Sequence, residues 1–154
     1  MKHFLLYLTF GVAVLASESK DTGLFIYSKS QCYGTCPAYK VTLTSDGELI
    51  FKGKKFVKSV GVYKIKKSPK MFGKIEQILS KYKFNSYNDS YFDAKSCKEM
   101  WTDHPTTTIE LKLNGKTKRL EHYLGCKGFK GEKSLYEMED EIDSALDLGK
   151  FIGK

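Results

Sequence analysis

The chain has 154 residues, 26 basic against 18 acidic side chains and a net charge of +8, which fits one modest domain. Arg119 is the only arginine and the lysines are scattered, whereas nucleic-acid recognition leans on arginine forks and ordered basic patches, so that class is set aside. A positive balance favours an anionic partner instead.

The chain opens with Lys2 and His3 ahead of an apolar run over residues 4–15, with Val14 and Ala16 at the −3 and −1 positions before Ser17. That order of charge, apolar run and small residues predicts a signal peptide over residues 1–16. The run is too short to cross a hydrocarbon core that needs about 20 apolar residues, and no second stretch is longer, so no transmembrane segment is expected after cleavage. A polar leader over residues 17–22 precedes one domain over residues 23–152, and the address is secreted or periplasmic.

Strand signals follow. Residues 24–28 read as a first strand, and residues 39–44 alternate Tyr39, Val41 and Leu43 with Lys40, Thr42 and Thr44. Asp46-Gly47 turns that strand back through residues 48–52 as a hairpin. Residues 56–66 extend the pattern, with a bend at Gly61. Ser68-Pro69 suits a helix start, and Met71, Phe72, Ile75, Ile78, Leu79 and Tyr82 recur at helical spacing, predicting a helix over 69–82.

Residues 84–104 have no period and read as a long packed loop carrying Cys97 and the single tryptophan, Trp101. Residues 107–113 alternate up to Asn114-Gly115, a strong hairpin signal, and residues 116–124 return. Ser134 to Glu137 reads as a capping box, and Leu135, Met138, Ile142 and Leu146 stripe a second helix to about Leu148, with Gly149 as its stop. Phe151 is expected to fold back as an anchor. Strands joined by hairpins predict an α+β fold: a largely antiparallel sheet of about six strands, four and then a hairpin, with two helices on one face.

Cys32, Cys36, Cys97 and Cys126 allow three pairings, and an even count in an exported chain reads as disulfides. Gly34 permits the sharp turn that Cys32–Cys36 needs, which favours Cys32–Cys36 with Cys97–Cys126. Redox chemistry fits poorly, because thiol oxidoreductases use two intervening residues at a helix start and here there are three before a strand. A zinc site lacks a second short ligand pair. His104 and His122 read as surface or packing residues, and Asp89, Asp93 and Asp103 as turn-forming rather than calcium-binding, since their intervals do not fit the twelve-residue loop. No nucleophile elbow or phosphate loop occurs, and no cofactor is implied.

Cys32-Tyr33-Gly34-Thr35-Cys36-Pro37, with Tyr39, Asp46-Gly47, Thr102-Asp103 and Pro105-Thr106, and a late Ile142-Asp143, resembles a bacterial domain of unknown function, family 6438, over residues 23–148. The resemblance implies export and assigns no reaction. The expected function is therefore a disulfide-stabilised binding or interaction module of the bacterial envelope. Its candidate surface is Tyr33, Gly34, Thr35, Pro37, Trp101, Thr102, Asp103 and Thr106, and its partner an envelope or extracellular one. The alternative is a metal- or thiol-dependent enzyme using Cys32, Cys36 and Asp103 or His104.

Overall fold

A computed structural model describes residues 22–153, so the expected signal peptide over residues 1–16 and most of the expected leader lie outside the described residues. In chain order the elements are β1 (Leu24–Lys29), β2 (Ala38–Thr44), β3 (Glu48–Lys55), β4 (Gly61–Lys66), α1 (Lys70–Lys81), a 3-10 turn (Phe84–Ser86), β5 (Ser90–Tyr91), β6 (Glu99–Met100), β7 (Thr106–Leu113), β8 (Lys116–Tyr123), β9 (Cys126–Lys127), α2 (Glu132–Ala145) and α3 (Gly149–Ile152). The fold is α+β. A seven-stranded sheet runs β4-β3-β2-β1-β7-β8-β5, and β6 pairs with β9 apart from it.

Alternation sets the two sheet faces. Phe25, Tyr27, Val41, Leu43, Leu49, Phe51, Ile109 and Leu120 point inward and are closed off from solvent. Against them pack Phe72, Ile75, Ile78 and Leu79 of α1 and Leu135, Met138 and Ile142 of α2. Each such side chain contributes about 1.5–3 kcal/mol of transfer free energy. Lys81 of α1 meets Glu141 of α2 at 2.6 Å, an exposed ion pair of small weight. No helix of the described residues is long and apolar enough to cross a membrane.

The Asn114-Gly115 turn is a two-residue connection with φ of 51° and 69°, the positive pair that matches strand twist. Ser68 Oγ accepts a hydrogen bond from Lys70 N at the start of α1. Phe151 does fold back, stacking on Phe51 at 4.6 Å between centroids.

The largely antiparallel sheet is as expected, with seven strands for about six because Ser90–Tyr91 adds a short parallel pair on β8, and β6 with β9 lies where the Cys97–Cys126 bond brings two loops together. Three expectations need correction. Residues 56–60 form a loop rather than strand, since Phe56 takes φ of 53° and β4 starts only at Gly61. Ser134 is not the cap of α2: the helix begins earlier, with Gly131 in the left-handed region as N-cap and Glu132 Oε2 accepting from Gly128 N at 2.7 Å. The same helix ends at Ala145, and Gly149 opens α3 instead of stopping α2.

Candidate functional site

The residues singled out in the sequence lie on two segments, the turn between β1 and β2 and the loop that leads into β7. The chain leaves β1 at Lys29, turns through residues 30–37 and re-enters at Ala38. Cys32 is bonded to Cys36 with their α-carbons 5.7 Å apart, and Gly34 between them takes φ of 149°. Gly34 N also donates to Cys32 O at 3.0 Å, closing the turn from within. This clamp leaves Tyr33 with 90% of its surface exposed, so the ring is held out rather than packed.

Thr106 stands at the foot of that turn. Ser30 N donates to Thr106 O at 2.9 Å and Thr106 N donates to Ser30 Oγ at 2.8 Å. The start of β7 is thereby fixed to the end of β1.

Trp101, Thr102 and Asp103 are tied elsewhere. Trp101 N donates to Gly125 O at 2.8 Å, and Tyr123 Oη donates to Trp101 O at 2.7 Å. The Cys97–Cys126 bond, with α-carbons 5.2 Å apart, holds the same loop onto the chain just past β8. Trp101 keeps 52% of its surface exposed, with Lys127 Nζ 5.4 Å from its ring centroid. Asp103 takes φ of 65°, a left-handed position that a short polar side chain tolerates. His104 N donates to Tyr123 Oη at 3.3 Å, and its ring lies 6.2 Å from that of Trp101. Of the enzyme alternative's residues, then, Cys32 and Cys36 are bonded to each other, and Asp103 and His104 sit on a different segment. Asp93 has the turn role expected of it, accepting from Lys95 N and Ser96 N at 3.1 and 3.0 Å. The Ser96 hydrogen bonds are the leading cause that holds its carboxyl below the usual range.

Gly125 is where the loop meets the sheet most closely. A β-carbon there would collide with the Trp101 carbonyl oxygen and the Tyr123 ring. Gly125→Ala should displace the Trp101 segment at a cost of about 1–3 kcal/mol. Thermal unfolding and the emission maximum of Trp101 check this; an unchanged spectrum and melting temperature would contradict the contact.

A second constellation escaped the sequence reading. His122, with 0% exposure, faces α2, and its Nδ1 lies 2.8 Å from Glu139 Oε1. Glu139, 2% exposed, also accepts from Thr107 Oγ1 at 3.2 Å. One turn further along α2, Asp143 accepts from Tyr39 Oη at 3.3 Å and from Lys29 Nζ at 3.4 Å. Burial first, and then the Asp143 carboxylate, push the Tyr39 hydroxyl well above its ordinary range. Tyr27 is shifted the same way, by burial and then by Glu139. The His122 ring is boxed by Tyr136, Phe129 and Tyr91 at 4.9, 5.5 and 6.5 Å. His122 Nε2 is buried with no hydrogen-bond partner among the described residues.

A histidine held by a carboxylate has acid–base geometry, yet general catalysis needs a substrate proton within hydrogen-bond reach. Neither side chain offers a surface to a substrate. The chemistry of this network is internal: it docks α2 on the sheet in one register. The expectation that His122 is a packing residue therefore holds, with Glu139 as the partner that reading did not supply. The signal available was Glu139 and Asp143 four residues apart, interleaved with the apolar stripe of α2.

A family model described as "Domain of unknown function (DUF6438)" matches residues 24–146. No curated protein matches.

Proposed function

We propose, for a chain that belongs to the DUF6438 family of domains of unknown function, that it is an exported binding module. It acts through a surface at one end of the sheet, made of Tyr33, Gly34, Thr35 and Pro37 on the clamped turn and Trp101, Thr102, Asp103 and Thr106 on the loop. The observation that carries this reading is the pairing of high exposure with covalent restraint. Tyr33 and Trp101 are large aromatic side chains left open to solvent on segments that each carry a disulfide. Rigid exposed aromatics supply contact area at low entropic cost on binding. Two disulfides agree with an oxidising compartment outside the cytoplasm.

Trp101, the only tryptophan, is a built-in reporter. Titrating soluble envelope fractions into the purified protein should give a saturable change in its emission. Tyr33→Ala should weaken that response at least tenfold with unfolding unchanged. An emission that no fraction alters, or a response indifferent to Tyr33→Ala, would remove the surface from consideration. Mass measurement of exported protein lacking residues 1–16 checks the address; recovery of the full-length chain inside the cell counts against it.

A further inference from the structure

Helices α1 and α2 cover one face of the sheet, and the opposite face stays open. On that face the register lines up Lys52 with Lys40, Lys40 with Ser28, Ser28 with Thr108 and Thr108 with Glu121 across β3, β2, β1, β7 and β8. Lys40 and Lys52 are thus direct cross-strand neighbours of like charge, an arrangement that destabilises a sheet unless something neutralises it. No ion pair engages either of them among the described residues.

A β-bulge adds a third cation. Ala38 pairs with Lys55 and Tyr39 with Gly53, so Lys54 is the extra residue. Bulges re-aim side chains, and this one sets Lys54 with Lys40 in the lining of a trough of about 310 Å³. The same trough is lined by the hydroxyl residues Ser28, Ser30, Thr106 and Thr108 and walled by Phe92, 56% exposed. Its carboxylate, Glu121, lies at the far end of the row and is engaged by Arg119 at 2.5 Å.

We infer that this trough binds an acidic glycan, with Lys40 and Lys54 on a sugar carboxylate, the Ser28 and Thr108 hydroxyls on ring hydroxyls, and Phe92 against a sugar face. Lysine is a point charge that suits a lone carboxylate, whereas planar bidentate recognition calls for arginine, which this trough does not offer. Hydroxyl side chains both donate and accept, as sugar hydroxyls do. The trough's volume falls at the small end of ligand sites, room for a sugar unit or two of a chain that continues over the open face. The inference stands on the sheet register; the trough meets the Tyr33–Trp101 surface at Thr106.

Calorimetric titration of the folded, oxidised protein with hexagalacturonate, and in parallel with the neutral maltohexaose and with inorganic phosphate, tests it. Hexagalacturonate should bind, weakening as salt rises, and the double variant Lys40→Gln, Lys54→Gln should lose at least tenfold in affinity. Lys133→Gln, at an exposed lysine of α2 outside the trough lining, should leave this affinity unchanged. In the ligand-free state Lys40→Gln should melt at or above the wild-type temperature, because it relieves the Lys40–Lys52 repulsion; a purely structural lysine would melt lower. Equal binding of maltohexaose, phosphate binding tighter than hexagalacturonate, or full affinity in the double variant would each overturn the assignment.

Discussion

Glu139→Leu should be among the most damaging single substitutions in the chain, costing about 2–5 kcal/mol, because it leaves two buried polar groups without a hydrogen-bond partner. Glu139 pairs with both His122 Nδ1 and Thr107 Oγ1. Without it, a buried imidazole and a buried hydroxyl are stranded, and each carries its own desolvation penalty. For a domain of this size the loss lowers the melting temperature by about 10 °C. The triple variant Thr107→Val, His122→Phe, Glu139→Leu should regain most of that loss, since replacing a whole polar group by packed apolar side chains is often near neutral. A loss below about 1 kcal/mol for Glu139→Leu alone would show that water reaches the pair.

The second large effect belongs to the longer disulfide. Cys97 and Cys126 are 29 residues apart, and removing a bridge of that span costs about 3.6 kcal/mol by chain-entropy arithmetic. Cys97→Ser with Cys126→Ser should therefore melt well below wild type, and its Trp101 emission should shift because the loop is freed from the β8 end. Cys32→Ser with Cys36→Ser should cost only about 2 kcal/mol by the same arithmetic and leave Trp101 emission unchanged. Thermal unfolding of the two variants decides the order; equal losses would mean that the 97–126 connection is already held by its other contacts.

Where local chemistry governs, the fold was legible in the sequence. Asn114-Gly115 fixed its hairpin because few other residue pairs take two positive φ values, and α1 follows from the period of Phe72, Ile75, Ile78 and Leu79. Residues 84–104 have no period because their structure is set from outside. Tyr91 is placed by its stacking on Phe129 at 4.2 Å and its pairing beside His122, and Trp101 by Gly125 and Tyr123. The start of α2 was misplaced because a capping-box pattern at Ser134 competes with Gly131, and tertiary packing of Phe129 favours the earlier start. The polar network was hidden for a related reason. Thr107 and His122 each fall on the inward phase of their strands, but only the antiparallel register that pairs them makes one site for Glu139.

The open flank of β4 has its own consequence. On one side the main sheet ends in the two-residue β5, too short to template a neighbour, and on the other in β4, whose outer row carries Val62, Lys64 and Lys66. A second molecule aligning its β4 there in antiparallel fashion would bring further lysines alongside Lys64 and Lys66, and that repulsion rises as ionic strength falls. Lys66 is matched by Asp46 at 3.1 Å, so the guard against fibre-like stacking rests on the Lys64 ammonium, and acetylating Lys64 would remove it.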